Sequence, residues 1–76
     1  MNRYFFDRVG HTRSELDYRG CELATTESAA EMAELIALDL AVDTASDWVG
    51  WAIKVSNALG AHILTIPIQE CDRVAA

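Results

Sequence analysis

Three titratable side chains are the residues of this sequence best suited to acid–base or metal chemistry: Asp7, His11 and His62. Zinc takes three or four nitrogen, sulfur or oxygen ligands at about 2.0–2.3 Å, and neighbouring groups orient those ligands. If the two hairpins predicted below pair side by side, His62 approaches the turn that holds His11. The sequence has no paired ligand spacing such as His-x-x-x-His, however. We therefore predict two exposed turn histidines, and no metal or other cofactor.

The two cysteines, Cys21 and Cys71, lie 50 positions apart and form no Cys-x-x-Cys motif. Metal-binding and redox-active cysteines of cytosolic chains usually occur in such close pairs. Isolated cysteines in a reducing compartment stay reduced. We expect two free thiols; a disulfide and a shared metal are the alternatives.

Three aspartates follow one another at four-residue intervals, at Asp39, Asp43 and Asp47. Calcium loops place alternating oxygen ligands on an irregular segment that contains a glycine, which this segment lacks. We interpret the three aspartates as the solvated edge of a helix. Such an edge can still attract a basic partner over a distance.

Motifs for catalysis are missing from the sequence. It has neither a glycine-rich phosphate loop nor a Gly-x-Ser-x-Gly elbow. A chain of 76 residues also offers little volume for a ligand cleft, which usually needs about 300 Å³ or more. We predict that the protein is not an enzyme.

The first part of the chain predicts two strands that form a hairpin. Residues 3–9 are rich in aromatic strand formers, Gly10 and His11 supply a turn, and residues 12–16 return as a weaker strand. Residues 17–20 have the Asp and Gly positions of a type I turn. We interpret residues 21–23 as a short extended bridge to the next element.

A helix is predicted from an N-cap at Thr25 or Thr26 to about Thr44. One apolar stripe has helical spacing and should face the core. It contains Ala29, Ala33, Ile36 and Leu40, and Met32 and Ala37 widen it.

A second apolar stripe lies on nearly the opposite side of the same helix, at Leu35, Leu38 and Val42. One helix on one sheet needs only one apolar stripe, so this second stripe needs cover from a partner chain or from the segment after Ile68. Trp48, in the connection that follows, is either a half-exposed interface anchor or a loop-packing residue. We predict an interface formed by Leu35, Leu38, Val42 and Trp48.

The second half of the chain predicts another hairpin. Residues 51–56 alternate apolar and polar side chains, and residues 61–68 follow after a turn. Pro67 cannot donate a hydrogen bond to a neighbouring strand, which places the last strand at an edge. Residues 69–76 are expected to form a flexible tail.

The order of elements is strand, strand, helix, strand, strand. It predicts a single α+β domain over residues 1–76, with a four-stranded antiparallel sheet in ββαββ order and one helix packed on one face.

The charge distribution argues against several partners. The formal net charge is −6, and from Cys21 to Ile53 the chain has seven acidic residues and no Lys or Arg. This balance disfavours nucleic acids and anionic membranes as partners, because clustered basic residues drive such binding. The longest apolar run has four residues, against about 20 for a membrane helix. With no secretory signal at its start, the chain is expected to be cytoplasmic.

A set of motifs covers nearly the whole chain and resembles a family of small proteins of rhizobia and related alphaproteobacteria, described as a domain of unknown function. The motifs are Arg3-Tyr4-Phe5-Phe6-Asp7, Gly10, Asp17-x-x-Gly20-x-Glu22-Leu23, Trp51-x-Ile53-x-Val55, Gly60 and Leu64-x-Ile66-Pro67-Ile68. The resemblance implies a host group and no mechanism. The element order alone is also similar, more loosely, to the RNase-like fold of HicB-type antitoxins, and a fold does not determine a function.

Two functions remain open at this point. The first, which we favour, is a self-associating interaction or regulatory module: a homodimer through the second stripe, with a basic protein as a further partner on the acidic rim. The second is a nucleic-acid-linked regulator of the antitoxin type. It would need the arginines of the first hairpin region to gather on the outer face of the sheet. These are Arg3, Arg8, Arg13 and Arg19.

Overall fold

The structure, a computed structural model, describes residues 1–43 and 47–69. Within these ranges five antiparallel strands form one sheet, and one helix packs on one face of it. The elements are β1 (Asn2–Val9), β2 (Ser14–Glu15), β3 (Cys21–Leu23), α1 (Thr26–Ala41), β4 (Ala52–Asn57) and β5 (His62–Pro67).

The sheet order is β2-β1-β4-β5, and β3 pairs with β1. Both predicted hairpins are present, and their inner strands β1 and β4 pair with each other at the centre of the sheet. The predicted number of four strands is wrong, because residues 21–23 are not a bridge but a third strand on the first hairpin. Cys21 pairs with Tyr4, and Glu15 pairs with Arg8, so β2 and β3 share the same edge of β1.

The core lies between α1 and the sheet. Alternation along β1 turns Tyr4 and Phe6 toward the helix, and alternation along β4 does the same for Ile53 and Val55. Ile53 is fully buried, so truncating it to Ala should cost about 2–5 kcal/mol of folding free energy. The complete buried set is Tyr4, Phe6, Ala29, Ala33, Ala37, Ile53, Val55 and Ile68.

The helix begins after Thr25, whose hydroxyl accepts a hydrogen bond from the Ser28 amide at 3.0 Å. This cap satisfies one of the amides left unpaired at a helix start. The predicted core stripe is confirmed: its alanines are buried, and Met32, Ile36 and Leu40 pack against them. Small side chains let the helix axis approach the sheet closely.

The helix ends at Ala41, so the predicted end near Thr44 is wrong. Its last turn contains no basic residue to interact with the free carbonyl groups, and Asp39 and Asp43 place negative charge near them instead. That arrangement is unfavourable at the negative end of the helix dipole. Early termination follows from it.

The last strand, β5, forms an edge of the sheet, as Pro67 predicts. Pairing continues for one residue beyond it, because the Ile68 amide donates to the Trp51 carbonyl at 2.8 Å and the Ile68 carbonyl accepts from Gly50. Ile68 is consequently buried. The predicted tail from residue 70 onward lies outside the described residues. No helix in the described ranges is long and apolar enough to cross a membrane.

Candidate interaction surface

The outer side of α1 carries the second apolar stripe. Leu35, Leu38 and Val42 are 64%, 56% and 37% exposed, and they point away from the buried alanines of the same helix. Leu35 and Leu38 lie in the second half of α1, and Val42 is the C-cap residue directly after it. We call these three residues the outer stripe.

Acidic side chains border the outer stripe on both sides. At about 100° per residue, Glu34 lies about 40° to one side of Leu38, and Asp39 lies about 40° beyond Leu35 on the other side. Glu27 and Glu31 continue the acidic surface toward the start of the helix. No side chain in the described part of the protein forms a hydrogen bond or an ion pair with these four carboxylates.

The acidic residues of the first three strands and their loops differ from those of the helix, because each has a partner. Glu22 forms an ion pair with Arg3 at 3.0 Å. Glu15 lies 3.5 Å from Arg8 and 3.7 Å from Arg13. The two aspartates of this region accept hydrogen bonds from backbone amides. Among the residues that the structure describes, the carboxylates with no hydrogen-bond or ion-pair partner are thus those of α1.

Trp48 does not belong to the outer stripe. Its ring packs edge-on against Trp51, with centroids 4.8 Å apart and planes at 77°. Its Nε1 donates to Asp43 at 3.3 Å, and the Arg8 guanidinium lies 5.3 Å from its ring centre. These contacts match the loop-packing alternative for Trp48. Its role in an interface stays a prediction.

The two tryptophans connect the 48–51 loop to the first hairpin. The Arg13 guanidinium lies 5.3 Å from the Trp51 ring centre, and the same ring covers Gly10 so closely that a Cβ there would lie 2.7 Å from it. Cation–π contacts of this kind contribute about 0.5–1 kcal/mol each at exposed sites. The alternation of Trp51 with Ile53 predicts a core position, and Trp51 lies half-buried at the edge of the core instead.

A groove of about 640 Å³ runs beside the helix, between α1 and the outer edge of β1. It exists because α1 lies over β4 and β5 and leaves the inner face of β1 partly uncovered. The expectation of little cleft volume is therefore wrong. Apolar residues of β1, β3 and α1 line the groove together with five charged residues, and two exposed residues of the 16–20 loop border it. The apolar residues are Phe6, Cys21, Met32, Ile36 and Leu40, the charged ones are Arg8, Glu15, Asp17, Arg19 and Asp39, and the bordering ones are Leu16 and Tyr18.

Cys21 is a half-buried free thiol in the wall of this groove. Cys71 lies outside the described residues. The sequence pattern does not indicate the groove, because its existence depends on where the helix crosses the sheet.

Asp17 fixes the loop that borders the groove. Its Oδ2 accepts the Phe6 amide at 3.1 Å in the gap between β2 and β3, and its Oδ1 accepts the amides of Arg19 and Gly20. Burial raises the pKa of the Asp17 carboxyl, but the Gly20, Phe6 and Arg19 amides and the Arg19 charge outweigh it, so the pKa lies below its ordinary value. Asp17 thus replaces the strand hydrogen bond that β1 lacks there.

The residues considered for acid–base or metal chemistry are not brought together. Asp7 accepts a hydrogen bond from the Asp17 amide, and the His62 ring bonds to Thr65 at 2.7 Å. The turn with His11 follows Val9, which lies level with Pro67 at the far end of β5 from His62. Among the described residues there is no group of three or more His, Cys, Asp or Glu that could hold a metal ion.

Comparisons with known proteins give one result. No curated protein and no solved structure matches the chain. A family model covers residues 3–69, nearly the same span as the motifs quoted above, and its description agrees with the resemblance to a domain of unknown function. The host group and the likeness to HicB-type antitoxins stay predictions. The chain belongs to the family described as Domain of unknown function (DUF6894).

Proposed function

We propose that this protein is a protein–protein interaction module and that the outer stripe of α1 is its binding face. The observation that carries the proposal is the exposure of three large apolar side chains in succession on one side of the only long helix in the described residues. Contiguous exposed apolar surface usually marks a site of association. Burying it contributes about 25 cal/mol for each Å² removed from water.

The apolar surface extends beyond the outer stripe itself. Met32 lies about 60° from Leu35 around the helix and forms part of the neighbouring groove. A partner that covers Leu35 can therefore continue over Met32 toward the groove. Because the apolar surface is continuous from Leu35 to Met32, it favours a contact that spans several residues and not one residue alone.

The first test asks whether the outer stripe is free of a structural role. Leu38→Glu should change the unfolding free energy by less than about 0.5 kcal/mol, as exposed substitutions usually do. Ile53→Ala supplies the comparison for a core position. Chemical denaturation of the three proteins measures both effects, and a loss at Leu38→Glu as large as that at Ile53→Ala would refute the proposal.

Self-association through the outer stripe remains a prediction from the sequence. Light scattering behind size exclusion, over about a hundredfold range of concentration, measures it. Leu59 provides a matched control, because it is 93% exposed on the turn before β5 and Leu59→Glu adds the same charge elsewhere. A dimer that Leu38→Glu dissociates and Leu59→Glu preserves would place the dimer contact on the outer stripe.

The alternative of a nucleic-acid-linked regulator has less support. Arg3, Arg8 and Arg13 are each within ion-pair distance of a glutamate. Phosphate binding at these positions would have to compete with those carboxylates. Binding of the protein to DNA or RNA at about 20 mM salt that is lost at about 0.5 M would favour this alternative.

A further inference from the structure

We infer that the partner of the outer stripe is an amphipathic helix of a basic protein, whose Lys and Arg side chains flank its own apolar residues. This inference rests on the proposed function, because it assumes that the outer stripe is a binding face. It adds the chemistry of the partner, which the exposed leucines alone do not specify.

The charge on α1 supports a basic partner. Glu34 and Asp39 border the outer stripe on opposite sides, and neither has a partner among the described side chains. In contrast, the glutamates of the sheet, Glu15 and Glu22, are neutralised by arginines of this chain. Within residues 1–43 and 47–69, the carboxylates beside the outer stripe are thus left available to cations of another molecule.

A second copy of the chain fits this face less well. From Cys21 to Ile53 the sequence contains no Lys or Arg, so the helix of a second copy brings no cation to the contact. Two such faces would place carboxylates of the same sign within the screening length of about 8 Å at physiological salt. A cationic partner would instead be attracted and would associate faster.

The spacing of the outer stripe suits a helical partner. Leu35 and Val42 are seven residues apart, which corresponds to about 10 Å along the helix axis, or two turns. An amphipathic helix packed alongside would present apolar residues to this length and basic residues to Glu34 and Asp39. The groove next to Met32 offers room for a larger apolar side chain at the edge of the contact.

Two synthetic peptides of about 18 residues test the inference. In both, leucines occupy positions i, i+3, i+4 and i+7 of a helix; the remaining positions are Lys in one peptide and Glu in the other. Fluorescence anisotropy of labelled peptide measures binding to the full chain at about 0.15 M NaCl. We expect the lysine peptide to bind at least about tenfold more tightly than the glutamate peptide. Equal binding of the two peptides would overturn the inference.

Leu38→Glu distinguishes a helix packed on the outer stripe from a purely electrostatic contact, because the two kinds of contact predict opposite changes in affinity for the lysine peptide. It adds one negative charge, which would tighten a contact made by charge alone, but it places that charge in the middle of the outer stripe. We expect the affinity for the lysine peptide to fall about tenfold or more. Leu59→Glu adds the same charge on the turn before β5, and the affinity of this variant for the lysine peptide should stay within about twofold of the original. Equal or tighter binding by Leu38→Glu than by Leu59→Glu would refute the inference.

The flanking carboxylates have their own test. The double variant Glu34→Gln with Asp39→Asn should lower the affinity for the lysine peptide about three- to tenfold, and unchanged affinity would count against the inference. Failure of the inference differs from failure of the proposed function. If neither peptide binds but Leu38→Glu dissociates a wild-type dimer, the binding face stands and its partner is a second copy. If Leu38→Glu unfolds the chain, the binding face itself is refuted.

Discussion

At the scale of single residues, Asp17 shows how one side chain can replace part of a strand. The chain that returns along β1 forms β2 and β3 but no strand between them, and the Asp17 carboxylate accepts the Phe6 amide in that gap. Left unpaired, such an amide at a partly buried edge would be costly. Gly20 completes the turn, because its φ is +73° and a Cβ there would lie 2.9 Å from the Tyr4 carbonyl oxygen, and both features exclude a side chain.

Asp17→Asn should destabilise the fold in a way that depends on pH. The amide accepts through one oxygen only, so at least one backbone amide loses its acceptor, at a cost of about 1–3 kcal/mol at pH 7. Because folding lowers the pKa of Asp17, its carboxylate contributes stability above the ordinary value of about 3.9. That contribution is lost as the pH falls through the lower folded value. Denaturation of both proteins from pH 7 to pH 3 should show the difference shrinking.

Glu31→Gln is the matched control for Asp17→Asn. It makes the same carboxylate-to-amide change at a helix residue with no side-chain partner in the described ranges. Its stability should therefore stay within about 0.5 kcal/mol of the original at every pH. A constant Asp17→Asn difference down to pH 3 would show that charge plays no part in the Asp17 hydrogen bonds.

Gly10 illustrates a steric requirement without a conformational one. A Cβ at Gly10 would lie 2.7 Å from the Trp51 ring, so Gly10→Ala must displace that ring and should cost about 1–3 kcal/mol. Gly60→Ala is the contrast: nothing lies within 4 Å of a Cβ there, and its φ of +84° is the source of strain. Tryptophan fluorescence should shift in the native state of Gly10→Ala and not of Gly60→Ala. The reverse result would contradict the packing of Trp51 on Gly10.

At the scale of elements, the sequence predicts those helices and strands whose structure depends only on their own residue pattern. Helix α1 and its core stripe follow from 3.6-residue periodicity, and the edge position of β5 follows from Pro67. The residue type predicts a cap at Thr25 or Thr26, and the structure has it at Thr25. The strand β3 is not predicted, because three residues are too few to show alternating apolar and polar side chains and because its pairing depends on Asp17. The groove is not predicted either, because it depends on the position of α1 over β4 and β5. No local sequence pattern indicates that position.

The end of α1 is an element with an identifiable weakness. Its last turn contains Asp39 and no basic residue, although the free carbonyl groups there favour positive charge. Asp39→Lys should therefore stabilise the fold by about 0.3–1 kcal/mol at low salt, and the gain should decline as salt screens it. Glu27→Lys makes the same kind of change in the first turn, where the helix dipole favours negative charge, and should stabilise the fold less than Asp39→Lys does. Thermal unfolding of both variants at low and high NaCl would measure this, and equal gains would show that position along the helix does not matter.

At the scale of the whole molecule, the separation of charge within the chain is the dominant feature. The sheet region neutralises its own carboxylates, whereas the helix presents four without partners among the described side chains. One surface of the protein is thus balanced and the other is negative and partly apolar. Repulsion among charges beside an exposed apolar stripe lowers the folding stability of the free protein. A cationic apolar partner that binds only the folded chain would stabilise it.

The cost of this charge separation should be visible in the free protein. Raising NaCl from about 20 mM to about 500 mM shortens the screening length from roughly 20 Å to about 4 Å, which weakens repulsion among the helix carboxylates. The exposed ion pairs of the sheet are weakened too, but each contributes at most about 1 kcal/mol. With a net charge of −6, we expect the melting temperature to rise by about 2–4 °C, equivalent to roughly 0.5 kcal/mol in a chain of this size. The double variant Glu31→Gln with Glu34→Gln should start from a higher melting temperature and gain less from salt. A melting temperature that falls with salt in the original protein would mean that the sheet ion pairs outweigh the repulsion among the helix carboxylates. In that case the helix carboxylates would not destabilise the free protein, and a basic partner would gain nothing by relieving their repulsion.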